Sequence, residues 1–240
     1  MKLIRVERLI DAGEFSGTET WKTIEKHIMD AIKAIEWPPG SGSFTLYDQP
    51  GKARGEGSGV KPIKDACMAH LKSLGWTLEA SVDIATLKHP GPMDATYPVG
   101  GRLFCAEWET GNISSSHRAV NKMALGILKK VLIGGILILP TRGMYKYLTD
   151  RVGNFPELEP YFPLWKALKV EEGLLAVIAI EHDAVKSVEP PRRQGELDRS
   201  SESRTKSRTC WTPPEFVGVH PPRFATSSSY RWKPVSRKPN

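Results

Sequence analysis

Two uncharged apolar runs constrain this chain more than any other feature. Val131–Leu139 carries nine residues without a polar side chain, and Leu174–Ile180 reads Leu-Leu-Ala-Val-Ile-Ala-Ile. Neither approaches the roughly 20 residues a membrane-crossing helix needs. Lys129-Lys130 precede the first run and Pro140 closes it. Short segments that are apolar at every position, rather than at every second one, are strands covered on both faces. Such a sheet needs helices on either side, and the chain supplies them. Trp21, Ile24, Ile28, Ala31, Ile32 and Ile35 recur at three- and four-residue steps through Glu19–Ile35, ahead of Pro38-Pro39. Further helices are expected at about Lys61–Leu74, ending at Gly75, and at about Ser114–Lys130, with a short one at Met144–Thr149. Strand-like runs occupy Trp76–Thr86 and Arg102–Glu109. Strands alternating with helices give an α/β class, a mixed central sheet flanked by helices. The globular part is expected to open with the helix at Glu19.

Composition limits the function classes. The 240 residues carry a formal charge of +7, which suggests a polyanionic partner. However, residues 187–240 hold 11 Lys/Arg against 5 Asp/Glu, while the first 186 are nearly balanced at 23 against 22. Whole-chain basicity therefore says little about the globular part, and any nucleic-acid role must rest on particular residues. The tail also holds 8 of the 19 prolines, several as doublets, and the Ser/Arg stretch Arg199–Arg208. It shows no periodicity and is expected to be largely disordered. The expected division is thus a domain over 1–186 and a Pro/Ser/Arg-rich basic tail over 187–240. Cys67, Cys105 and Cys210 are odd in number and far apart, which excludes a disulfide scaffold and a structural zinc set. With charges throughout the first eight residues, no secretory leader is read. The expectation is a soluble cytoplasmic protein with no membrane partner.

Chemistry concentrates between Met93 and Lys122. Asp94 precedes a turn through Pro98-Val99-Gly100-Gly101, and the strand that follows reads Phe104-Cys105-Ala106-Glu107-Trp108-Glu109. Alternate strand residues share a face. Leu103, Cys105, Glu107 and Glu109 therefore point one way, and Phe104, Ala106 and Trp108 the other. The turn carries Asp94 back towards the glutamates. Three clustered carboxylates repel unless a cation or a shared proton neutralises them, and oxygen-only ligands suit Mg²⁺. Such a metal polarises a phosphodiester and acidifies a water. A solvent-facing acidic strand is the plain alternative. After Gly111 come Asn112-Ile113-Ser114-Ser115-Ser116-His117-Arg118, small polar residues at a helix start, with Arg118 and Lys122 four apart on one face. Helix starts receive phosphates, and Asn, Ser and Arg read base edges. Ordinary N-capping also fits the serines. A metal-dependent histidine nuclease using His117 and Asn121 is a competing reading, as is a two-acid glycosidase, although nothing aromatic surrounds Glu107 as a sugar platform.

Asp94, the Glu107-Trp108-Glu109 strand and the Gly-Asn-Ile-Ser-Ser-Ser-His-Arg helix start resemble the BglII/BstYI/BamHI branch of the PD-(D/E)XK restriction endonucleases. Gly59–Lys64 leading to Leu74-Gly75-Trp76 supports the likeness. So does the stretch from Leu139-Pro140-Thr141-Arg142 through Leu148–Asn154 to Glu157–Tyr161. The resemblance covers about residues 1–186. It implies a homodimeric, Mg²⁺-dependent enzyme of a restriction system, hydrolysing double-stranded DNA at a short palindrome. By the same matching Asp94 and Glu107 are the metal-binding acids, and the backbone carbonyl of Trp108 is a further ligand. Glu109 stands where most of the superfamily has Lys, so its implied role is to hold a metal or to orient or deprotonate the attacking water. Asn112, Ser114, Ser115, Arg118 and Lys122 fall on the DNA-contacting helix start. Asp150, Arg151 and Asn154 fall on a loop that reads the groove. Members of this branch often share a GATC core. A non-catalytic or degenerate DNA-binding relative is the other reading.

Overall fold

The computed structural model describes residues 1–47, 61–84, 91–109, 111–148 and 152–186. The tail from 187 onward and most of the Gly-rich segment before residue 61 lie outside the described residues, as do Asp150 and Arg151.

The chain opens with strand β1 (Lys2–Ala12), then a 3-10 turn (Phe15–Gly17) and helix α1 (Glu19–Lys33). Thr18 caps α1 by accepting the Trp21 N–H, and Trp21, Ile24, Ile28, Ala31 and Ile32 are all buried, as their spacing requires. Strand β2 (Thr45–Tyr47) and helix α2 (Lys61–Ser73) follow, then strands β3 (Thr77–Ala80), β4 (Met93–Val99) and β5 (Arg102–Trp108). Helix α3 (Ile113–Leu128) leads to β6 (Leu132–Pro140), the short helices α4 (Arg142–Tyr145), α5 (Phe155–Leu158) and α6 (Phe162–Lys166), and strands β7 (Gly173–Glu181) and β8 (Ala184–Lys186).

Six strands form one mixed sheet in the order β1-β7-β6-β5-β4-β3. β5, β6 and β7 run parallel, while β1, β4 and β3 are antiparallel to their neighbours. The two apolar runs are its central strands, every residue of β6 being buried. One face packs under α1 and α2, with Phe104, Ala106 and Trp108 of β5 in that core. The other packs under α3, α5 and α6, with Cys105, Leu137 and Val177. A buried Leu or Ile contributes about 1.5–3 kcal/mol, so these two layers dominate stability. No described helix is long and apolar enough to cross a membrane.

Several expectations need correction. The fold begins with β1, not with the helix at Glu19. This edge strand is mostly exposed and its pairing with β7 shifts between Leu3 and Arg5 and again between Arg8 and Ile10, so no period of two survives in its sequence. The strand expected over Trp76–Thr86 spans only Thr77–Ala80, where Glu79 takes a positive φ of 49°. Pro98 and Val99 belong to β4, leaving Gly100-Gly101 alone as the turn. Both have positive φ, 52° and 81°, as a two-residue turn matched to strand twist demands. The short helix expected at Met144–Thr149 sits two residues earlier, at Arg142–Tyr145.

Candidate active site

The tight turn fixes the register of the β4–β5 hairpin: Thr96 faces Cys105 and Ala95 faces Ala106. The next pair along is Asp94 with Glu107. Both are nearly buried, at 9% and 8% exposure. Asp94 Oδ2 accepts the backbone N–H of Trp108 at 2.8 Å, which ties the aspartate to the strand that carries Glu107.

Two lysines neutralise the pair. Lys64, from α2, donates to Asp94 Oδ1 at 2.6 Å and lies 3.7 Å from Glu79. Lys122, from α3, lies 2.6 Å from Glu107 Oε1 and donates to the Pro92 carbonyl at 3.1 Å. Burial raises the Glu107 pKa, and the Asp94 charge adds to that, while Lys122 works against both. For Lys64, burial alone would lower the pKa, but the bond and charge of Asp94 outweigh it and the net shift is upward.

Glu109 goes elsewhere. It follows the end of β5 and is 4% exposed. Ser116 Oγ donates to its Oε2 at 2.6 Å, and the Gly111 N–H to its Oε1 at 2.5 Å. Burial raises its pKa, opposed by those two hydrogen bonds. The three acids thus take different partners. Asp94 and Glu107 meet, while neutral donors of the α3 start hold Glu109. Among the described residues no three Asp, Glu, His or Cys side chains could hold one metal ion. The Asp94–Glu107 pair still fits a divalent cation, since both are hard oxygen donors whose charges are balanced by displaceable ammoniums.

Helix α3 starts at Asn112, whose Oδ1 accepts the N–H groups of Ser114 and Ser115 at 3.1 and 3.3 Å. The cap is therefore Asn112 and not a serine. Ser114 and Arg118 are exposed on this first stretch, and Ser115 is half-buried against Gly111. Lys122, one turn beyond Arg118, bends inward onto Glu107. Asn154 is fully buried, and among the described residues neither side-chain atom has a hydrogen-bond partner. His117 packs edge-on against Tyr161, with ring centroids 4.3 Å apart, and Asn121 accepts the Trp165 indole N–H at 2.8 Å. Both groups of the histidine-nuclease reading are thereby engaged by aromatic residues. Lys64 and Ser116 were not singled out as site residues from the sequence. A lysine on a helix gives no sign of the strand it meets, and Ser116 looks like one of three equivalent serines.

Residues 1–196 match the family described as restriction endonuclease BamHI. The chain is 52% identical over 185 residues to the type II restriction enzyme OkrAI of Oceanobacter kriegii, covering 77% of this chain and 91% of that protein. It is 39% identical over 135 residues to the type II restriction enzyme BamHI of Bacillus amyloliquefaciens, covering 53% of this chain and 62% of that enzyme. Among solved structures, restriction endonuclease BglII complexed with a DNA 16-mer is similar in fold. The TM-score is 0.51 at 12% identity, over 80% of this chain and 87% of that one.

Proposed function

The chain belongs to the BamHI family of type II restriction endonucleases, and from that premise we propose how it cuts. The substrate is double-stranded DNA, cleaved at a short palindrome with a GATC core by a homodimer in which each protomer supplies one site to one strand. The catalytic and DNA-binding unit is residues 1–186. The cation is Mg²⁺, held by the carboxylates of Asp94 and Glu107 and the backbone carbonyl of Trp108. When bound, it supplies Lewis-acid polarisation of the scissile phosphate and a more acidic water.

The protein's own groups do the rest. Lys64 and Lys122 hold the two acids in place and balance their charge. Glu109, whose burial raises its pKa, accepts the proton of the attacking water. Asn112, Ser114, Ser115 and Arg118 contact DNA from the start of α3, and Asp150 and Arg151 read the groove.

The observation that carries this reading is the buried Asp94–Glu107 pair joined through the Trp108 N–H, one helix start away from exposed Ser114 and Arg118. Incubating the protein with plasmid DNA and Mg²⁺, then with EDTA, tests it. Discrete fragments whose sequenced ends share one overhang are expected with Mg²⁺ and none with EDTA. Binding without cutting across DNA and salt conditions would overturn it in favour of a non-catalytic relative.

A further inference from the structure

One buried side chain joins Glu109 to the first turns of α3, which carry exposed Ser114 and Arg118. Ser116 is fully buried, and its hydroxyl donates to Glu109 Oε2 at 2.6 Å. At about 100° per residue, Ser116 lies on the opposite side of the helix from Ser114 and Arg118, which are exposed. The same turn therefore presents its outer side to solvent and its inner side to the acid.

A second segment bears on the same hydroxyl. A Cβ added to Gly153 would lie 2.4 Å from Ser116 Oγ, so only glycine passes here without displacing it. The Gly153 N–H donates to the Gly111 carbonyl at 2.8 Å, and the Gly111 N–H donates to Glu109 Oε1. Each oxygen of Glu109 is thus tied to a group in contact with Gly153. Asn154, next in the chain, has its amide buried without a partner among the described residues.

We propose that Ser116 is a positioning residue that couples the seating of α3 on DNA, and of residues 152–154 against it, to the aim of the Glu109 carboxylate. The coupling makes cleavage depend on correct recognition. It rests on reading Glu109 as the group that acts on the attacking water. A displacement of about 1 Å at such a group can cost roughly 100-fold in rate, so a small movement of the helix start is enough.

The test uses the full chain and a duplex carrying the cut site mapped by plasmid digestion. S116A, E109Q and the double variant are compared for single-turnover cleavage in Mg²⁺ and for duplex binding in Ca²⁺. S116A is expected to bind within about twofold of the unaltered protein and to cleave about 10- to 100-fold more slowly. In E109Q the further change Ser116→Ala should cost almost nothing, because both act through one carboxylate. Losses that multiply within about twofold would show that Ser116 acts independently of Glu109 and overturn the proposal. Equal falls in binding and cleavage, or an S116A rate matching the unaltered protein, would do so too. E109Q cutting at full rate with S116A still slow would instead remove the role of Glu109, and with it the coupling. If S116A does not fold, G153A presses on the same hydroxyl from the other side. The same separation of binding from rate is expected there, and unaltered turnover would overturn the proposal.

Discussion

The two faces of the central sheet use the same strand for opposite purposes. Towards α1 and α2, β5 presents Phe104, Ala106 and Trp108. There Phe104 lies within 5.7–6.3 Å, centroid to centroid, of Phe15, Trp21 and Trp76. Towards α3 it presents Cys105 and Glu107, while Asp94 of β4 takes Lys64 from α2. Burial stabilises the first face and burdens the second, where desolvation lifts the pKa of Glu107 and lysines must offset the charge. The difference teaches that the side-chain period of two lets one strand anchor the core and hold costly acids in place. The rigid aromatic face gives the acids a fixed backbone to stand on.

Single substitutions on the two faces should separate these purposes. Glu107→Gln or Asp94→Asn is expected to lower single-turnover cleavage by roughly a thousandfold or more, with DNA binding retained and the melting temperature moved by only a few degrees. Phe104→Ala, three residues before Glu107, should do the reverse. Losing a fully buried ring costs about 3–5 kcal/mol, or about 10 °C in a chain of this size. The protein that remains folded at low temperature should still cut the same site. Cleavage assays beside thermal melts check both, and a Glu107→Gln protein that unfolds as readily as Phe104→Ala would erase the distinction.

The same contrast explains what the sequence discloses. The aromatic face is legible because its helices repeat at 3.6 and its strand at 2: Trp21, Ile24 and Ile28 lie where that spacing puts them. The hairpin is legible for the same reason, with Gly100-Gly101 setting the register that pairs Asp94 with Glu107. β1 is not, because its two register shifts erase alternation. On the acidic face the pattern gives positions but not partners. Nothing local says that Lys122 turns inward while Arg118 stays out, that Lys64 crosses from α2 to Asp94, or that Glu109 is drawn to Ser116. Those contacts join elements 7 to 30 residues apart in the chain, and only the packed sheet brings them together. The burial of Asn154 is hidden likewise, since it follows from how residues 152–154 lie on α3.

If the acids are balanced by displaceable ammoniums, removing one should matter most when no cation is present. Lys122→Met leaves Glu107 nearly buried without its counter-charge. Breaking a fully buried pair costs about 3–5 kcal/mol. Here both side chains keep about 10% exposure and the carboxyl can take up a proton, so about 2 kcal/mol is expected at pH 8. That is about 4–8 °C in melting temperature. Added Mg²⁺ should shrink the deficit, because ligand binding to the folded state restores the missing charge. Thermal melts with EDTA and with Mg²⁺ measure both. A deficit independent of Mg²⁺ would mean that Lys122 serves packing alone.

The smallest effect is one of sign. On the aromatic face, Trp76 Nε1–H donates to His27 Nδ1 at 3.2 Å, a bond that needs the unprotonated nitrogen. Burial first, then the charge of Lys26, lower the His27 pKa from its ordinary 6.5. The unfolded chain therefore binds the proton more readily, and stability from this contact is present above about pH 6.5 and lost as pH falls towards the folded value. On the acidic face Glu107 is raised, so the folded chain binds the proton more readily and stability grows as pH falls through that raised value. The faces thus pull in opposite directions as the pH falls. His27→Gln, which keeps an acceptor for the indole but does not titrate, should remove the falling limb, worth about 1 kcal/mol at most. Glu107→Gln should remove the opposing rise and steepen the loss on acidification. Urea melts in EDTA at pH 7.5, 6.5 and 5.5 read these slopes. If His27→Gln left the slope unchanged while Glu107→Gln flattened it, the assignment of titration to the two faces would be reversed.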